Sequence, residues 1–321
     1  MRGGDFLLRL VGRGVRSGRQ TRYAFAVSME ANLDAMRRLW RTPALLAMEL
    51  LWRWSFGLGV LGLMIAAWGR VRPVLLLSDS ELQAIHSPDP IARAASVVVI
   101  LQPYAPLLLK VAAWVALGAA VLWVLAATAG RGILTRILVR QAAGERVLAP
   151  DATRWLSYFS LTAARVVMLL ILVIGYLAGV LLASVLGVAN RPMQTVLIVL
   201  LALGVAATVW SLVNWVLTLA PLFVARDGCA PLDANAEAVG FARRRWKELL
   251  AIAAWNGVAR WGVAIGVSLA ALFTVSARSP AWLQLALLAL QTLAYLVLSD
   301  WLLLARLAAY AAVAVAEPPA R

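Results

Sequence analysis

The sequence predicts an all-α fold: a polytopic membrane helix bundle of about six transmembrane helices, built as three hairpin repeats. Three observations carry that reading. Hydrophobic residues make up 63% of the 321 positions and charged residues only 14%, where soluble domains hold about half and a quarter. The apolar residues come as long blocks, with a mean hydropathy of +0.84. Connections rich in arginine alternate with connections poor in it, which is the topogenic pattern of membrane proteins.

Six blocks qualify as spans, near residues 45–68, 106–129, 157–187, 193–223, 250–276 and 283–312. Each holds at least ~17 residues of predominantly apolar sequence, enough to cross a hydrocarbon core of ~30 Å at ~1.5 Å per residue. Residues 1–43 then form a basic arm and an interfacial helix, residues 44–316 the membrane domain, and residues 317–321 a short tail. The stretch "DFLLRLV" near the start is too short for the apolar core of a cleavable signal.

Charge sets the orientation. The arm before span one carries nine arginines, and the connections after spans two and four carry five positive residues each. The opposite connections share five: Arg70, Arg72, Arg93, Arg191 and Arg278. Both termini are therefore expected in the cytoplasm. The same rule accounts for the net charge of +15, so no nucleic-acid partner is expected. With one cysteine (Cys229) and one histidine (His86), neither an internal disulfide nor a Cys/His metal or haem site is expected, and no cofactor is inferred.

The polar connections contain helical patterns of their own. Residues 28–40 place Met29, Leu33, Met36 and Trp40 on one face. Residues 233–250 do likewise with Ala236, Val239, Phe241 and Trp246, and Asp233 is the expected N-cap. Such basic amphipathic segments lie in the interface plane. In the outer connection 69–96, Ser78 and Glu81 have capping-box spacing, predicting a short helix over 78–85.

An internal repeat links these parts. At an offset of 207, "RRLWRTPALLAMELLWRWSFGLGV" (37–60) overlies "RRWKELLAIAAWNGVARWGVAIGV" (244–267) with eight identities, among them Arg53/Arg260 and Trp54/Trp261. A weaker third copy starts at "RWLSYF" (154–159). The even-numbered spans echo one another in "WVLAATAG", "NWVLTLAP" and "DWLLLARL". Because each copy starts on the same side, the repeats are parallel.

The stretch "NWVLTLAPLFVARDGCAPLDANAEAVGFARRRWKELLAI" (214–252) ends a span at Pro221, makes an Asp-Gly turn and enters the next span through a basic helix. It resembles bacterial six-helix proteins grouped with the membrane domain of glycerophosphoryl diester phosphodiesterases. That resemblance implies the fold and a place in a bacterial inner membrane. The catalytic barrel of the family is absent, so no phosphodiesterase activity carries over, and a non-enzymatic protein is expected.

Charges inside spans are the candidate functional residues, because an ion at the bilayer centre costs ~2.5–3.5 kcal/mol on insertion scales. Arg165 and Arg306 can reach the inner interface and Lys110 the outer one. Arg53 and Arg260 lie only ~25 Å of helix from Arg70 and Arg278, so each is either an interfacial anchor beside Trp54 or Trp261 or half of a buried pair. Glu49, four residues before Arg53, has the spacing of a same-face ion pair. Asp300 has no close partner on its own helix and is expected to face inward toward Arg53, Arg260 or Arg165, with Asn214 at similar depth. Small-residue pairs in "GYLAG", "GVAIG" and Ser55/Gly59 predict close helix contacts. The expected partners are anionic membrane lipids, with a membrane protein or a second copy as further candidates. A small transporter with Asp300 and the arginines lining a polar cavity is the alternative.

Overall fold

The computed structural model describes residues 29–30, 32–75, 78, 80–81, 83, 89–145, 154–185, 192–277 and 279–317. The expected arm before residue 29 and the tail beyond 317 lie outside them. Among the described residues all regular structure is helical: α1 (residues 32–41), α2 (Pro43–Val71), α3 (Pro90–Leu101), α4 (Ala105–Ala142), α5 (Trp155–Val185), α6 (Pro192–Asp227), α7 (Pro231–Arg244), α8 (Trp246–Ser276) and α9 (Ala281–Val315). A 3₁₀ turn, Gln102–Tyr104, joins α3 to α4. Six stretches are long and apolar enough to cross a membrane, carried by α2, α3–α4, α5, α6, α8 and α9. Proline at the start of α2, α3, α6 and α7 suits a position whose N–H has no helical acceptor.

The chain divides into two units, Trp52–Ala127 and the remainder, with the division falling inside α2 and α4. In the smaller unit α2 and α4 form a hairpin. The Trp123 ring meets Trp52 at 5.7 Å and Phe56 at 5.0 Å, both edge-on. The hairpin is closest where Gly59 faces Leu122 and Gly118 faces Leu63, since an added Cβ would come within 3.2 and 3.0 Å of those side chains.

In the larger unit α5/α6 and α8/α9 are antiparallel hairpins. Gln291 Nε2 donates to Thr274 Oγ1 at 2.8 Å, which fixes the register of the second. The densest packing lies at the end where α6 and α9 finish and α5 and α8 begin, here called the basic end. There Leu219, Ala220, Leu222, Phe223 and Val224 of α6 are essentially without exposure, as are Ala234, Ala238 and Phe241 of α7. Leu304, Ala305, Ala309 and Tyr310 of α9 are equally buried. The Phe223 and Phe241 rings meet edge-on at 5.4 Å. The most apolar windows of the spans are only 0–6% buried within the chain, so their apolar surface is left for lipid.

Several expectations need correction. The basic connection after span two is helical: α4 runs to Ala142, because Leu134 and Leu138, one turn apart, are buried and hold it. It ends in a Schellman motif, with Gly144 at φ +74° and Glu145 N–H donating to Arg140 O at 3.0 Å. Pro221 does not end its span. The helix continues to Asp227 because the residues after the proline are fully packed. The segment 233–250 is broken at Arg245 (φ −112°, ψ 22°), and Ala230, not Asp233, is its N-cap.

The apolar faces of both interfacial helices are also rotated from the predicted ones. In α7 the buried stripe is Ala234, Ala238 and Phe241, while Val239 and Trp246 are half exposed. In α1 it is Asn32, Ala35 and Leu39, while Trp40 is 80% exposed. Alanines flank the buried Phe241 and Leu39 in these stripes, while Leu33, Trp40, Val239 and Trp246 are left exposed. The "GYLAG" and "GVAIG" glycines have nothing within 4 Å of an added Cβ. Only the Ser55/Gly59 pair marks a close approach inside the chain.

Candidate functional site

The basic end concentrates the polar chemistry of the larger unit, and most of it is internally neutralised. Glu317, just past α9, accepts from Arg244 Nε at 2.7 Å and from Arg245 Nε at 3.3 Å. Glu237 accepts from Arg244 at 2.7 Å and Glu248 from Arg245 at 2.8 Å. These partners raise both guanidinium pKa values further: Glu317 foremost for Arg244, Glu248 foremost for Arg245. Arg226 pairs with Asp227 and donates to Ala314 O at 2.6 Å, placing a cation at the electronegative end of α9. Arg154 donates to Val224 O at 2.9 Å, and a side chain at Gly228 (φ +72°) would collide with its guanidinium.

A second group of arginines is held differently. Arg165, three turns into α5, donates from Nη2 to Thr218 Oγ1 at 2.6 Å and to Asn214 O at 3.3 Å on α6. Thr218 itself donates back to Asn214 O at 2.6 Å, so a single carbonyl fixes both donors. Arg165 lies within electrostatic reach of Arg131 on α4 and Arg306 on α9. The Arg306 guanidinium carbon is 6.0 Å from the centre of the Tyr310 ring. Among the described residues neither Arg165 nor Arg306 has a carboxylate at ion-pair distance, and the Nε of each is buried without an acceptor. The buried Nε–H groups of Arg165 and Arg306, without an acceptor among the described residues, are donors that an anion would satisfy.

The predicted site residues are distributed as follows. Arg165 and Asn214 meet, through the Asn214 backbone and not its side chain. Asp300 and Glu49 are buried, at 6% and 1% exposure, and both are engaged by neighbouring groups. The Arg53 guanidinium carbon lies 5.5 Å from the centre of the Trp52 ring, and Arg53 has further neighbours. Arg260 is exposed and pairs with nothing among the described residues. Arg260 and Arg165 are thus both excluded as partners of Asp300. The Gln291–Thr274 register puts Asp300 level with Ile265, more than a turn from Arg260.

Thr218, Arg131 and Arg306 were missed as members of one cluster. The signal available was the pair Asn214 and Thr218, one turn apart on a face of an otherwise apolar span. Also missed was a buried amide pair: Asn256 Nδ2 donates to Asn32 Oδ1 at 3.0 Å. Asn256 is the repeat equivalent of Glu49, so both copies bury a polar side chain at the same position.

Other chemistry is sparse. Among the described residues no three His, Cys, Asp or Glu side chains are grouped to hold a metal ion. Burial pushes the Cys229 thiol pKa up, and Asp227, Asp233 and Glu237 push it the same way, which suppresses the thiolate. A cleft of ≈ 260 Å³ between α1, α4 and α9 carries both signs of charge, from Glu30, Asp34 and Arg38. Compared with known protein families, curated proteins and solved structures, the chain shows no match.

Proposed function

We propose that this chain is a non-enzymatic integral protein of a bacterial inner membrane that binds anionic lipid headgroups through Arg131, Arg165 and Arg306. The observation that carries the reading is Arg165: a guanidinium anchored on Thr218 in a transmembrane helix, with two further arginines in reach and no carboxylate of its own. Desolvated arginines recognise phosphate through their planar donor fork. Arg226, Arg244 and Arg245 at this end already have carboxylates, whereas among the described residues the Nε of Arg165 and of Arg306 is buried without an acceptor. The arginine count supports a cytoplasmic location for it, and the resemblance of residues 214–252 to the phosphodiesterase membrane domain supports a membrane location.

The test is lipid retention by the full chain purified in mild detergent, measured by native mass spectrometry with added phosphatidylglycerol or phosphatidylcholine. Arg165→Gln and Arg306→Gln should each lower phosphatidylglycerol retention several-fold and leave phosphatidylcholine unchanged. Equal retention by the wild type and a folded Arg306→Gln variant would remove the reading. A second reading, transport, is favoured by one observation, the burial of Asp300 within a span. It requires that Asp300→Asn abolish movement of a solute while leaving the protein folded.

A further inference from the structure

The smaller unit carries a second site, independent of the arginine cluster. Beyond the Gly118–Leu63 contact α2 and α4 line a groove in which Ala66 and Ala67 supply little bulk. This groove, of ≈ 550 Å³, is lined by Leu63, Leu107, Val111, Trp114 and Val115. Its mouth carries two cations, Arg70 near the end of α2 and Lys110 near the start of α4. Both are exposed, and among the described residues neither has a carboxylate at ion-pair distance. Trp114, 65% exposed, stands along the groove, the kind of side chain that settles at a membrane interface.

An apolar trough inside the span that ends in two unpaired cations matches one amphiphile: a fatty chain with a negative head. We propose that this groove seats one phospholipid of net negative headgroup, its acyl chain between Ala67 and Val111 and its phosphate between Arg70 and Lys110. A zwitterionic lipid offers the same chain, but its own ammonium offsets the phosphate, so the two cations select for net charge. The arginine count puts this end of the hairpin on the outer face, so the lipid belongs to the outer leaflet of that membrane.

The experiment uses the full chain in nanodiscs containing phosphatidylglycerol or phosphatidylcholine with a photoactivatable acyl chain, and maps labelled peptides. Labelling over residues 63–70 and 107–115 should favour phosphatidylglycerol. That preference should fall about fivefold in Arg70→Gln or Lys110→Gln, and roughly thirtyfold in the double variant. Arg70→Lys should retain it, and Ala67→Phe, which fills the trough, should lower labelling by both lipids. Equal labelling of these segments by the two lipids, or a preference unchanged in the double variant, overturns the proposal. Because Arg165 and Arg306 are intact throughout and the label is read by position, failure here leaves the basic-end site untouched.

Discussion

Replacing Asn256 with alanine should loosen α1 from the rest of the larger unit. Asn256 Nδ2 donates to Asn32 Oδ1 at 3.0 Å and to Ile252 O at 2.9 Å, and the two amides are 2% and 1% exposed. Two magnitudes compete. Polar pairs between membrane helices average ~0.6 kcal/mol in double-mutant cycles, with a maximum of ~1.7. A buried acceptor stripped of its donor costs ~1–3 kcal/mol. The larger figure governs the single substitution, because Asn32 has no route to water; the smaller governs the coupling, because removing both amides leaves nothing orphaned. Asn256→Ala should therefore cost ~1–3 kcal/mol, and the Asn32→Ala/Asn256→Ala double should cost less than the sum by ~0.6–1.7 kcal/mol. Since ~1.4 kcal/mol is tenfold in an equilibrium, opening of α1 should rise by roughly five- to a hundredfold. Trypsin reads that opening at Arg37, whose side chain is 74% exposed, and cleavage tracks the open population when reclosing is fast. Thermal unfolding in detergent supplies the cycle. Additive losses, or a tryptic rate unchanged by Asn256→Ala, would refute the reasoning.

Two other outcomes follow from the corrected faces and from the outer connection. Phe241→Ala, in full burial against Phe223, should cost ~3–5 kcal/mol, whereas Val239→Ala, 51% exposed, should stay within ~0.5; the opposite ranking in thermal melts would contradict the buried stripe of α7. At Glu81, the Ser78 backbone N–H donates at 2.7 Å and holds the carboxyl below its ordinary value of 4.5. A depressed acid stabilises above the unfolded value and loses that contribution as pH falls through the folded one, so this contact persists at neutral pH and is lost in acid. A carboxyl ¹³C titration with its midpoint at or above 4.5 would contradict it.

The spans were legible because length and hydropathy are summed over some twenty residues, and the capping box because its partners are three residues apart. The faces of α1 and α7 were not. A helix beside a membrane has two apolar neighbours, protein and lipid, and hydrophobicity alone does not say which one a given stripe meets. Here protein took Asn32, Ala35, Leu39, Ala234, Ala238 and Phe241, and of the positions chosen from sequence only Phe241 is fully buried. The helical end of α4 was hidden by its arginines, which read as a polar connection while Leu134 and Leu138 were already spaced for burial. Arg165 was named as a candidate, but its partners lie 49 and 53 residues away on a helix whose polarity is one threonine and one backbone oxygen. Nothing local announces such a pairing.

The order of contacts along the chain bears on how the protein is made. The richest packing joins neighbours in sequence, α8 with α9, α5 with α6, and α6 with α7. Each hairpin can enter the bilayer as it leaves the ribosome and find its partner at once, since local closure costs little chain entropy. The Asn32–Asn256 bond spans 224 positions, so the first helix must wait, its amide unpaired, while two hairpins are synthesised. Closing that bond ties the first described helix to one made two hairpins later, so the larger unit is finished only after α8 is inserted.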